Sequence, residues 1–179
     1  MKTYFETDYS DFDKIQIILN EGGIYLDLDV MVTQSFDELR RYNCTLGLER
    51  PSKICSGVII CTKQHPFLYL WLNGFYEDFR GDWAYNSGHV PTRLINRYRG
   101  IIHVDKNTLH RPNVHEMQKI WGKEKFNWRG NYAVHTWIRM AMGRYIQAPP
   151  TPETIKTMNS TYGEMARDVF YGSSDLLMT

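Results

Sequence analysis

Gly22-Gly23-Ile24-Tyr25-Leu26-Asp27-Leu28-Asp29-Val30 is the most informative stretch of this chain. Paired glycines stop a helix, because they enter the left-handed conformation without penalty. Beyond them the apolar residues alternate. Ile24, Leu26, Leu28, Val30 and Val32 fall on one face of a strand, with Tyr25, Asp27, Asp29 and Met31 on the other. This alternation predicts one continuous strand over 24–32, with Asp27 and Asp29 side by side near its end. Two adjacent like charges are unfavourable, since each raises the pKa of the other. A divalent cation relieves that repulsion. Hard cations such as Mg²⁺ and Mn²⁺ take oxygen ligands, typically one or two carboxylates together with phosphates and water. An Asp-x-Asp backed by an apolar strand therefore suits a metal–diphosphate clamp.

The segments on either side fit an alternation of helices and strands. Upstream, Ser10 is placed to cap a helix with Asp13 three residues on, and Ile15, Ile18 and Leu19 form its apolar face. Downstream, Ser35-Phe36-Asp37-Glu38 reads as a capping box opening a short helix to about Tyr42. Residues 45–50 and 57–62 read as strands. Pro66 opens a helix to about Phe79, with Leu68, Trp71, Leu72 and Phe75 at helical spacing. Pro91 opens another through Arg97, and Ile101–Val104 reads as a short strand. Asn113 caps a helix to Trp121, and Tyr132–Trp137 alternates like a strand. Ala148-Pro149-Pro150-Thr151-Pro152 is a linker. The final helix starts at Thr151-Pro152, with Ile155, Met158 and Tyr162 on one side. The class is α/β. The expected organisation is a domain over 1–147, with linker and last helix over 148–179 packed on the same domain.

Composition narrows the function. At 179 residues the chain is one domain or a large fragment of one. Hydrophobic residues make up 42% and charged residues 23%, which excludes a disordered or fibrous chain. A net charge of +1 gives no support to a general nucleic-acid binder. Cys44, Cys55 and Cys61 form no C-x-x-C and fit no zinc pattern. An odd number allows at most one internal disulfide, and small buried apolar residues is the simpler reading. Two sequons, Asn43-Cys44-Thr45 and Asn159-Ser160-Thr161, hint at a secretory route. No apolar run approaches the roughly 18 residues of a transmembrane helix, and Met1–Phe5 lacks a signal-peptide core. His65, His103, His110 and His115 have no partner pattern and read as structural or surface residues. A metal-dependent phosphohydrolase would want further carboxylates or histidines at two-metal spacing, which the sequence does not display.

The composite of Ser10-Asp11-Phe12-Asp13-Lys14, an apolar helix and Gly22–Val30 resembles the glycosyltransferase family with a DXD-containing sugar-binding region. That family includes α-1,4-galactosyl- and α-1,4-N-acetylglucosaminyltransferases and fungal mannosyltransferases. Its pattern is roughly Ser-Asp-x-x-Arg, an apolar helix, then Gly-Gly-Ile-Tyr-Leu-Asp-x-Asp-Val. Ser56-Gly57-Val58-Ile59-Ile60, His65-Pro66-Phe67, Gly88-His89-Val90-Pro91-Thr92-Arg93 and Tyr132-Ala133-Val134-His135-Thr136-Trp137 extend the resemblance to about residue 140. Two positions depart from the pattern. Lys14 stands for Arg and lacks its planar fork, and His89 stands for Pro.

The resemblance implies a GT-A-like nucleotide-diphospho-sugar transferase fold. In the family a nucleotide-binding βαβ portion precedes the Ser-Asp helix. Only nine residues precede Ser10 here, so the first strands are expected to be missing. The implied activity is retaining, metal-dependent transfer of a hexose from a UDP- or GDP-sugar to a hydroxyl of a glycan or glycolipid, in the Golgi or secretory lumen. Asp27 and Asp29 would be the catalytic carboxylates and the ligands of Mn²⁺ or Mg²⁺. Asp11, Lys14, Tyr25, His135 and Trp137 would bind the donor. The alternative is an inactive pseudoenzyme or fragment that binds a sugar nucleotide or glycan.

Overall fold

The computed structural model describes residues 5–82 and 84–177. In chain order its elements are α1 (Phe5–Glu21), β1 (Gly23–Leu26), β2 (Val30–Val32), β3 (Cys44–Arg50), β4 (Lys53–Cys61), α2 (Pro66–Glu77), α3 (Val90–Arg97), β5 (His103–Asp105), α4 (Gln118–Trp121), β6 (Ala133–His135), α5 (Ile138–Ala141), α6 (Pro152–Thr157) and α7 (Thr161–Tyr171). The chain divides into two compact units. The first holds residues up to Asp27 together with Phe36–Asn107, and the second holds Leu28–Ser35 with the residues from Thr108 onward.

The first unit is built on a four-stranded mixed sheet in the order β1-β4-β3-β5. β4 runs antiparallel to β1 and β3, and β5 is parallel to β3. Helices pack their apolar residues on this sheet. Ile15, Ile18 and Leu19 of α1 join Phe67, Leu68, Trp71, Leu72 and Phe75 of α2 in one buried cluster with Leu46, Ile54 and Ile59 of the strands. α2 starts where expected. Pro66 takes the first turn, and the His65 ring accepts the Phe67 N–H, which assigns His65 a capping role. The buried Trp71 indole N–H donates to Asn86 O at 2.9 Å.

Gly22 closes α1 at φ +70°, its N–H bonded to Ile18 O. A Cβ there would lie 2.7 Å from the backbone N of Lys63. Gly22→Ala is therefore expected to cost about 1–3 kcal/mol in chemical denaturation, from left-handed strain and from overpacking against backbone that cannot yield.

The second unit carries the antiparallel pair β2–β6, with Val30 opposite His135 and Val32 opposite Ala133. In the same unit α4 and α7 pack on each other, where the rings of Trp121 and Tyr162 stack at 4.1 Å. Arg167 of α7 is 1% exposed. Its guanidinium donates to the carbonyls of Ile155, Met158 and Ser174. Such bonds satisfy the C-terminal carbonyls that a helix leaves unpaired, here at the end of α6.

Several expectations are corrected. The strand over 24–32 is two strands in two sheets, broken by a turn at Leu28 and Asp29. The ladder to β4 ends with the Asp27 N–H on Gly57 O, and Leu28, read as core, is fully exposed. Alternation continues through the turn and mimics a longer strand. α1 begins at Phe5, so Ser10 lies within the helix rather than capping it, and its side chain lies outside the described residues. The helix expected after Ser35 is a single 3₁₀ turn, Leu39–Arg41. The strand expected from 57 starts at Lys53 and makes β3–β4 a hairpin. Asn113 caps as expected, but of a 3₁₀ turn, Val114–Glu116, that leads into the short α4. The last helix is split, because Met158 turns extended and Ser160 caps α7 anew. Among the described residues no helix is long and apolar enough to cross a membrane.

Candidate active site

In the first unit the residues expected to bind a donor gather around one ammonium. Lys14 projects from α1 into the protein and is 4% exposed. Its Nζ pairs with the Asp11 carboxylate one turn earlier and donates to Ser56 Oγ of β4 at 3.0 Å. Asp27 Oδ1 lies 3.6 Å away, and the Tyr25 ring centre 4.9 Å away. The Tyr25 hydroxyl donates to Asp27 Oδ1 at 2.8 Å. A buried ammonium is tolerated only when paired and hydrogen-bonded. Asp11 and Ser56 meet that need. Lys14 is thus turned toward protein carboxylates, and the arrangement holds Asp11, Tyr25 and Asp27 in fixed relation.

In the second unit Asp29 sits in the turn before β2. His135 Nε2 donates to Asp29 Oδ1 at 2.9 Å. The Thr136 N–H and hydroxyl both donate to Asp29 O at 2.8 Å. The β2–β6 register sets these bonds by placing His135 beside Val30. Burial pushes the Asp29 carboxyl up, but the hydrogen bond and charge of His135, with the Asp29 and Ile138 backbone N–H groups, hold it below its ordinary value. Asp29 is accordingly an anion at neutral pH.

Trp137 follows at φ 55°, ψ 36°, a left-handed conformation that is rare for a bulky residue. Its ring stacks on His135, with centroids 3.7 Å apart. Trp137 Nε1 is buried and has no hydrogen-bond partner among the described residues. Neither has either ring nitrogen of His110, whose ring centre is 6.0 Å from that of His135. An unmatched buried donor costs about 1–3 kcal/mol, so each such group calls for a reason.

In the second unit Asp29 suits a divalent cation, since it offers an ionised carboxylate oxygen with an imidazole beside it. In the first unit Asp27 offers a carboxylate of the same hard-oxygen kind. The buried Trp137 N–H suits an anionic oxygen. Sequence reasoning selected Asp11, Lys14, Tyr25, Asp27, Asp29, His135 and Trp137. It passed over Ser56 and Thr136, whose small hydroxyl side chains carry no spacing signal, and it read His110 as a structural or surface residue.

Comparison with known proteins gives the same direction. Residues 2–46 match the family described as a glycosyltransferase sugar-binding region containing a DXD motif. Asp11, Lys14, Tyr25, Asp27 and Asp29 all lie within that matched stretch. It is 32% identical over 170 residues to Glucan organizing enzyme 1 of Cryptococcus neoformans var. grubii, covering 86% of this chain and 45% of that protein. It is 24% identical over 157 residues to Lactosylceramide 4-alpha-galactosyltransferase of Mus musculus, covering 78% and 43%. Over 64 residues it is 36% identical to Inositol phosphoceramide mannosyltransferase 3 of Schizosaccharomyces pombe, covering 36% and 18%. The chain thus spans a little under half the length of the first two relatives. No solved structure matches it. The mixed α/β sheet agrees with a glycosyltransferase of this kind.

Proposed function

We propose that this chain supplies the donor- and metal-binding part of a retaining glycosyltransferase with a GT-A-like fold. The donor would be a UDP- or GDP-hexose, and the acceptor a hydroxyl of a glycan or glycolipid. The observation that carries the reading is Asp29, an anion bonded to His135 within a DXD glycosyltransferase sugar-binding region. A divalent ion, Mn²⁺ or Mg²⁺, would supply Lewis-acid neutralisation of the leaving diphosphate.

The chain's own residues would bind and orient. Asp29 and Asp27 would hold the ion. Asp11, fixed by Lys14, would accept hydrogen bonds from donor sugar hydroxyls, and Tyr25 would line the same region. Lys14 would act as a positioning residue, since its ammonium is engaged by Asp11 and Ser56. Trp137 would donate its indole N–H to a diphosphate oxygen, with His135 beneath its ring. Because Asp27 and Asp29 are assigned to binding rather than to nucleophilic attack, retention would follow from same-face attack on the bound donor. Asn43 and Asn159, the two sequon asparagines, are exposed, which agrees with a Golgi or secretory lumen.

The test is turnover of a panel of UDP- and GDP-sugars by the purified chain. Hydrolysis or transfer with one donor in Mn²⁺, lost in chelator, is the expected result. Turnover that is indifferent to chelator would overturn the metal-dependent reading. A second variant probes the indole. Trp137→Phe keeps an aromatic ring over His135 and removes the N–H. It is expected to fold and to bind the donor about 10–100-fold more weakly, the range of a hydrogen bond to a charged group. Unchanged affinity in calorimetry would return Trp137 to a packing role.

A further inference from the structure

Cys44 and Cys61 are outside the proposed chemistry, yet they form a pair. They are direct partners in the antiparallel β3–β4 register, at the open end of the hairpin. The next pair outward, Asn43 and Thr62, carries the ladder bond, Thr62 N–H to Asn43 O at 2.8 Å. Cys44 and Cys61 therefore occupy a non-hydrogen-bonded position, where Cα atoms sit about 4.5 Å apart and side chains come closest. That spacing is inside the Cα range a disulfide accepts. Both side chains enter the same buried cluster, at 1% and 4% exposure. Both are free thiols here, and the two sulfurs and a His65 ring nitrogen lie within 4.8 Å of one another. A hydrogen bond to Cys61, together with burial, pushes the Cys44 thiol well up. Cys55 stands opposite Gly47 instead and has no cysteine across from it.

We infer that Cys44 and Cys61 are a cross-link site, joined as a disulfide that staples the open end of the β3–β4 hairpin. The step is thiol–disulfide exchange with a small-molecule disulfide such as oxidised glutathione. The first thiolate attacks the reagent and releases one reduced thiol. The second thiolate attacks the resulting mixed disulfide and releases another. Two protein thiols are thereby oxidised by two electrons, and one reagent disulfide is reduced to two thiols. Burial dictates the timing. Thiolates, not thiols, attack, so the bond forms while β3 and β4 are still open and is shielded once the core closes. The stapled end is also where the ladder is regular, whereas register shifts interrupt it nearer the turn, at Leu46/Gly47 and Leu48/Arg50. The cross-link therefore fixes the register that the irregular end leaves loose.

A metal is the competing occupant of the same three residues. Closed structural zinc sites take four ligands, and His65 Nδ1 already accepts the Phe67 N–H as the cap of α2.

The experiment refolds the full chain carrying Cys55→Ser from denaturant in a glutathione redox buffer and alkylates it in denaturant. The expected result is no alkylatable thiol, a mass lower by two hydrogens, and one non-reduced peptide joining Cys44 to Cys61. In the unsubstituted chain a single thiol, Cys55, is alkylated. Reductant is expected to lower the melting temperature by about 5–10 °C, and only after unfolding has exposed the bond. Cys44→Ser should abolish that reductant effect. Two alkylatable thiols in the Cys55→Ser chain would overturn the inference, as would Cys55 in the linked peptide of the unsubstituted chain. Stoichiometric zinc in the purified protein, released together with two thiols, would assign the site to a metal instead. The thiol count is independent of sugar transfer, so it stands or falls apart from the proposed activity.

Discussion

Asp29→Ala is expected to lower metal-dependent donor affinity by at least about 100-fold, because a metal ligand costs more than the 10–100-fold typical of groups behind one. Its fold should survive. The bonds from Thr136 go to the Asp29 carbonyl, which the substitution keeps. The carboxylate's contacts with His135 and with the backbone N–H groups of Asp29 and Ile138 are lost, at about 1–3 kcal/mol. Denaturation curves and donor titrations on the same preparation separate the two quantities. A large loss of stability with unchanged affinity in the folded fraction would make Asp29 a structural residue. Asp29→Asn sharpens the comparison, since it keeps an oxygen for His135 and removes the charge.

The second large effect concerns stability. Asp11→Ala removes the acid directly paired with the buried Lys14 ammonium. Breaking one side of a buried pair costs about 3–5 kcal/mol, because the remaining charge is left in a low-dielectric site. Ser56 Oγ and the more distant Asp27 Oδ1 are the compensation left. Asp11→Ala combined with Lys14→Met should be less destabilised than Asp11→Ala alone, since the stranded charge goes too. If the double variant is as unstable as the sum of its parts, the pair is not coupled. Both variants should weaken donor binding, because Asp11 is lost as an acceptor, and in the double variant Asp27 and Tyr25 also lose the ammonium beside them.

Much of this was legible in the residues. The apolar spacing of α2, with its proline start, needed no tertiary information. The tie from α1 to the Gly-Gly-Ile-Tyr-Leu-Asp strand was legible as a motif, and Asp11, Lys14, Tyr25 and Asp27 do meet. The break between Asp27 and Asp29 was not. Leu28 keeps the alternation of a strand while lying in a turn, and no glycine or proline marks the bend. The start of α1 was misread because a serine followed by acids imitates a cap anywhere in a polar helix. Ser56 and Thr136 act through single hydroxyls whose partners lie 42 and 107 residues away in sequence. Local pattern cannot carry that information. The cysteine pair was invisible for the same reason, since hairpin register alone brings Cys44 opposite Cys61.

The most direct test of the central claim is electron paramagnetic resonance of Mn²⁺ titrated with the chain, with and without UDP or GDP. The account predicts that the free-ion signal is lost on adding chain and nucleotide diphosphate together, and that Asp29→Ala restores it. A signal that the parent chain leaves unchanged at every concentration, with nucleotide present, would contradict the assignment of the DXD acids to a metal.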